Sequence, residues 1–151
     1  MKPKLIVDWG SYDTAVEQLA ERIRLAGVTP GGVMGVPRGG LIAAVMLSHQ
    51  LDVPFVPFRK DRITSDLLLV DDICDTGHTL SSILGPQDGT EVQYRPLAIG
   101  VVVCKPKGYR YLEEGLWELR TFFGMAAATE DWIVFPYEIA ETEDGYNGTA
   151  G

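Results

Sequence analysis

Between Leu67 and Thr79 the chain reads LLLVDDICDTGHT. Four consecutive aliphatic residues, Leu67–Val70, run into two adjacent carboxylates. An unbroken apolar run ended by charge fits a strand buried on both faces, and such strands belong to parallel sheets covered by helices. The loop that follows brings a third carboxylate, Asp75, then Thr76, Gly77, His78 and Thr79. A helix starting near His78–Thr79 would turn its positive end and unpaired N–H groups toward that loop. Gly77 would let the backbone approach a ligand closely. This is an anion site suited to a monoester phosphate. Asp71 and Asp72 beside it suit sugar hydroxyls, Mg²⁺, or both. Taken one at a time, the same residues read as a turn, an N-cap and surface threonines. Taken together they read as a site.

The rest of the chain supplies the sheet. After a short Leu5–Val7 segment, Val16, Leu19, Ala20 and Ile23 recur at helical spacing. Thr14 with Glu17 resembles a capping box for that helix, and Gly27 can stop it. Val33–Val36 reads as a strand, followed by Pro37-Arg38-Gly39-Gly40 and an apolar helix from about Leu41 to Leu51. Pro54–Phe58, Leu97–Cys104 and Trp132–Phe135 read as further strands. The helix after Thr79 should stop at Gly85-Pro86. Repeated βα units predict an α/β fold, a Rossmann-like parallel sheet flanked by helices on both faces. Ligands of such sheets sit at the carboxyl ends of the strands. Lys107–Ala128 stays open between a helix and a covering flap. Residues 1–141 read as one domain, with a polar, Gly-rich flexible tail at 142–151.

Composition bounds the partners. The 151 residues suit one domain, and 46% apolar content is enough for a real core. Thirteen basic against twenty-one acidic side chains leave a net charge of −8, which argues against charge-driven nucleic-acid binding. It does not exclude small anions held by local cations. The longest apolar run is far shorter than the ~20 residues of a membrane span, and no secretory leader pattern opens the chain. Cys74 and Cys104 form neither a CxxC pair nor a zinc pattern, which suits a reducing compartment, and Cys74 reads as an inert packed thiol. A cytoplasmic protein without membrane or nucleic-acid partners is expected.

VDDICDTGHTL resembles the phosphoribosyl-diphosphate (PRPP) signature of type I phosphoribosyltransferases. The resemblance implies that Asp75, Thr76, Gly77, His78 and Thr79 grip the 5′-phosphate. It places Asp71 and Asp72 at the ribose and its Mg²⁺. VPRGG, residues 36–40, is similar to the family's pyrophosphate loop, with Arg38 as the cation and Gly39 and Gly40 turning amides inward. Its Pro37–Arg38 bond sits where the family often has a cis peptide. VVCKPKG with WIVFPYE resembles the base-binding end of the short xanthine-guanine type. On that resemblance Lys105 donates to the purine O6, Trp132 stacks on the ring, and the carbonyls of Ile133 and Glu138 read the 2-amino group. The family further implies Mg²⁺-dependent transfer from PRPP to a 6-oxopurine, with Asp75 as general base and a homo-oligomer, dimer or tetramer.

One region departs from the family. The mobile hood that closes over PRPP is reduced to RKDRITSD, Arg59 to Asp66, and its Ser-Tyr pair is missing. That shortening supports an alternative: a nucleotide- or PRPP-binding regulator that kept the site and lost turnover. A phospho-receiver reading of Asp-Asp and Lys105-Pro106 fails, because no phosphoacceptor Asp ends a strand before Lys105. The longer segment Lys107–Arg120 could cover the site in place of the hood.

Overall fold

The computed structural model describes residues 2–85, 93–116 and 118–138. Five parallel strands form the main sheet in the order β3-β2-β4-β5-β6. They are β2 (Gly32–Gly35), β3 (Phe55–Val56), β4 (Leu67–Cys74), β5 (Ala98–Cys104) and β6 (Arg120–Ala126). A separate parallel pair joins β1 (Lys4–Ile6) to β7 (Trp132–Val134). Helices α1 (Trp9–Leu25) and α2 (Gly40–Leu51) cover one face. Helix α3 (His78–Leu84) covers the other, together with α4 (Pro106–Arg110) and the π-turn Tyr111–Gly115. This is the parallel α/β architecture expected from the sequence.

Strand β4 is the hub, with β2 on one side and β5 on the other. Leu68 and Val70 enter the core under α1 and α2, while Leu67 and Leu69 enter the core under α3. Burial on both faces is what its apolar run required. The strand, however, does not end before the acids. It runs through Asp71 and Asp72 to Cys74, because β5 continues beside it and pairs Asp71 with Val101, Ile73 with Val103 and Cys74 with Cys104. The carboxylates are therefore built into the sheet.

Two other expectations are corrected. Helix α1 is capped by Asp8, whose side chain accepts from the Ser11 N–H, and not by Thr14. Thr14 lies inside the helix and donates its hydroxyl to the Gly10 carbonyl. Gly27 does close that helix, at φ +72°. The segment read as a helix or flap from 107 to 128 splits three ways, into α4, the π-turn and the edge strand β6. Strand β6 pairs with β5 on one side, and its TFF residues are half-buried, so neither alternation nor a continuous apolar run marks it. Helix α3 ends at Leu84, whereas Pro86 and residues 139–151, which include the expected tail, lie outside the described residues. Among the described residues no helix is long and apolar enough to cross a membrane.

Candidate active site

The acid pair sits at the centre of the sheet's carboxyl end. Asp71 is 1% and Asp72 5% exposed. Asp71 Oδ1 accepts from the Asp72 N–H at 2.8 Å, and Asp72 Oδ2 accepts from the Tyr137 hydroxyl at 3.0 Å. Asp71 Oδ2 and Asp72 Oδ1 are buried without a partner. Burial, and then the Asp72 charge, holds the Asp71 carboxyl well above the usual range; burial also raises Asp72. Two buried carboxylates with one unpaired oxygen each are unfavourable by themselves and suited to receiving a cation or a hydroxyl donor.

The loop 75–79 encloses a cleft of about 210 Å³, walled by residues 73–80. Its turn needs Gly77, at φ +88°, where the next residues enter α3. The Thr76 hydroxyl accepts from the His78 N–H at 3.4 Å. Behind the loop stands Tyr111, so close that a Cβ on Gly77 would come within 2.2 Å of its ring. Gly108 of α4 rests in the same way on the Cys74 carbonyl. The segment expected to cover the site thus packs against the back of the loop, and Tyr111 is not among the residues walling the cleft.

The second loop, residues 36–40, lies between β2 and α2. The Pro37–Arg38 bond is cis, at the position the family resemblance indicated. Arg38 is exposed, whereas Gly40 is buried against the Val70 carbonyl. Gly39 lies directly over Asp72: a Cβ there would fall 1.9 Å from its Oδ2.

At the end of β5, Lys105 is 7% exposed and pairs with Asp75, its Nζ 3.3 Å from Oδ2. Asp75 remains half exposed and walls the cleft, while Lys105 is buried beside it and lines a neighbouring cavity with Tyr109 and Phe123. Cys74 and Cys104, partners across β4 and β5, are buried free thiols. Hydrogen bonding to Cys104 and burial push the Cys74 thiol upward, the opposite of a reactive nucleophile. Trp132 is 38% exposed on β7, with its backbone N–H bonded to Pro3. Ile133 is buried, and the Glu138 side chain accepts from the Phe135 N–H at 2.9 Å. The structure therefore joins Lys105 to Asp75. No hydrogen bond or ring contact among the described residues links Trp132 to either.

Residue-by-residue reading missed Tyr137, Tyr12 and Tyr111. The Tyr12 hydroxyl is buried without a partner near Asp72, and its pKa is raised by burial and by that charge. The FPYE aromatic in the base-side segment was the available signal for Tyr137.

No family model matches the chain. It is 25% identical over 158 residues to the xanthine-guanine phosphoribosyltransferase of Idiomarina loihiensis, covering 90% of this chain and 88% of that one. The purine phosphoribosyltransferase of Pyrococcus horikoshii superposes with a TM-score of 0.64 at 27% identity, over 92% of this chain and 97% of the other. The chain has the type I phosphoribosyltransferase fold. A Neisseria gonorrhoeae hypothetical protein solved with bound ppGpp shares that fold, with a TM-score of 0.71 at 20% identity over 95% of this chain and 94% of its own. The resemblance read from 67–79 and from WIVFPYE is thus matched by whole-chain similarity to purine phosphoribosyltransferases.

Proposed function

We propose that the protein is a purine phosphoribosyltransferase that moves 5-phosphoribose from PRPP to a 6-oxopurine (guanine, xanthine or hypoxanthine). The observation that carries this reading is the Lys105–Asp75 pair beside the 75–79 cleft. A buried ammonium can donate to a purine O6 but offers no acceptor to a 6-amino group. The loop 75–79 holds the 5′-phosphate through its N–H groups and the hydroxyls of Thr76 and Thr79. Arg38 and the Gly39 amide receive the pyrophosphate; the Gly40 N–H, against expectation, donates to the Val36 carbonyl at 2.9 Å and closes the loop instead. Trp132 stacks on the base, and the carbonyls of Ile133 and Glu138 take its 2-amino group.

In the reaction N9 of the purine bonds to C1′ while the C1′–O bond to pyrophosphate breaks. Positive charge grows on the ribose, and negative charge leaves on pyrophosphate toward Arg38. Asp75, held by Lys105, accepts the proton that the purine sheds. Asp71 and Asp72 face the ribose and fit Mg²⁺. Each keeps one unpaired oxygen, and a Mg²⁺ site that shares substrate oxygens needs only one or two carboxylates. Bound there, Mg²⁺ would supply charge neutralisation for the leaving group. The assembly is read as a homo-oligomer, dimer or tetramer, working in the cytoplasm on small molecules.

The test is incubation with PRPP, Mg²⁺ and each of guanine, xanthine, hypoxanthine and adenine, with chromatography for the nucleoside monophosphate. Product from a 6-oxopurine and none from adenine is expected. Ligand binding without nucleotide would instead establish the regulator reading, and efficient use of adenine would remove Lys105 from its role.

A further inference from the structure

We propose that Tyr137 is a positioning residue that fixes the Asp72 carboxylate beneath Gly39, and so ties the base-side segment to the 36–40 loop. The inference rests on the phosphoribosyltransferase reading for what that loop binds, and on geometry for the link itself. The Tyr137 ring is stacked on Phe135 at 5.4 Å and 3° and meets Tyr12 edge-on at 5.7 Å and 88°. Trp9 closes a third side at 6.3 Å. With the ring held from three directions, its hydroxyl donates to Asp72 Oδ2 at 3.0 Å.

That contact anchors Oδ2, the oxygen that lies under the 36–40 loop, whereas Oδ1 has no partner in the buried site. The carboxylate in turn fills the space under Gly39. Asp71 and the local backbone also touch this carboxylate, but they lie on its own strand, and Tyr137 is the hydroxyl donor that reaches it from another element. Without the hydroxyl, Asp72 is free to turn, and the loop loses what it rests on. Tyr137 lies between Trp132 and Glu138 in the chain, so one carboxylate joins the base side of the site to the pyrophosphate side.

Tyr137→Phe keeps the ring packing and removes only the hydroxyl. Three measurements decide the matter: hydrogen exchange of the peptide spanning 36–41, calorimetric affinity for inorganic pyrophosphate with Mg²⁺, and the same two in Asp72→Ala and the double variant. Exchange at 36–41 should quicken in Tyr137→Phe while α1 stays protected, and pyrophosphate affinity should fall about tenfold. The double variant should lose no more than Asp72→Ala alone, because both act through one contact. Asp72→Asn, which keeps an acceptor for the hydroxyl, should retain loop protection. Unchanged exchange or affinity in Tyr137→Phe, or additive losses in the double variant, overturns the proposal. If the unaltered protein binds no pyrophosphate, the transferase reading fails, and exchange alone then decides the fate of the Tyr137 link.

Discussion

Replacing Gly77 by alanine tests whether the 75–79 loop is braced from behind. Two penalties are superimposed at this position. Gly77 sits at φ +88°, and placing an L side chain in left-handed backbone costs about 1–2 kcal/mol. The new Cβ would also stand 2.2 Å from the Tyr111 ring, where carbon atoms prefer ~3.5–4.0 Å. The ring would have to withdraw, and overpacking of that kind costs ~1–3 kcal/mol. The sum is about 2–5 kcal/mol. Gly27 supplies the control, since it has φ +72° and nothing within 4 Å of its Cβ position. Gly27→Ala should therefore lose only the backbone share, about 1–2 kcal/mol. Urea denaturation of both variants, together with Tyr111→Ala and the Gly77→Ala/Tyr111→Ala pair, separates the contributions. The difference between the two glycine variants measures the Tyr111 contact, and Tyr111→Ala should erase most of it. A Gly77→Ala variant no less stable than Gly27→Ala would show that Tyr111 does not brace the loop.

Lys105→Met keeps the length and packing of the buried stem, so the melting temperature should hardly move, whereas kcat/KM with guanine should fall about tenfold to a hundredfold. The Asp75 partner is half exposed, and its loss of a surface-screened pair is worth little. Asp71→Asn should abolish turnover yet stabilise the fold. The Asp71 carboxyl is raised above its ordinary value of 3.8 by burial and by Asp72, so its favourable share is complete below that value and disappears as pH rises through the native one. The gain of Asp71→Asn in thermal melts should consequently be larger at pH 8 than at pH 4. Trp132→Ala should weaken purine binding in calorimetry and leave PRPP binding nearly unchanged; equal weakening of both would remove Trp132 from the base site. PRPP should be hydrolysed measurably without a base, and pyrophosphate release that required guanine would show that some segment closes over the site.

The hub of the fold was legible because β4, its loop and α3 put unlike signals side by side: an aliphatic run, acids, then a glycine between hydroxyls. Those are local properties of consecutive residues. The depth of the acids was not legible, since it depends on β5 continuing to pair as far as Cys104. Strand β6 was missed for a related reason. Its half-buried TFF sequence is decided by α1 packing on one face and by β5 beside it. Tyr137 and Tyr111 lie 65 and 34 residues from Asp72 and Gly77, so nothing in their neighbours along the chain announces the contact. The Thr14–Glu17 pattern misled because Asp8 offered an equally good cap six residues earlier, where the chain leaves β1.

The eight residues 59–66 that replace the hood reach at most ~26 Å fully extended, and about half that as a hairpin between neighbouring strand ends. Their cations are partly engaged already: Arg59 pairs with Asp61 at 2.6 Å, and Lys60 donates to the Ser82 carbonyl of α3 at 3.1 Å. This loop rims the sheet and is tied down on the α3 side. The longer 106–116 segment does not take over as a lid, because Tyr111 and Gly108 pack against the loop from the core side. The 75–79 and 36–40 loops are therefore held from below, one on Tyr111 and the other on Asp72. A site braced in that way loses little conformational entropy when ligand arrives, since its loops are ordered beforehand. Among the described residues neither 59–66 nor 106–116 covers the 75–79 cleft, so on the transferase reading neither excludes water as charge develops on the ribose. On the transferase reading, bracing favours binding and leaves the partition between base and water to the base itself. Turnover should then depend on how completely a stacked purine fills the space beside Lys105, and a poorly fitting base should raise hydrolysis in proportion to the nucleotide it fails to form.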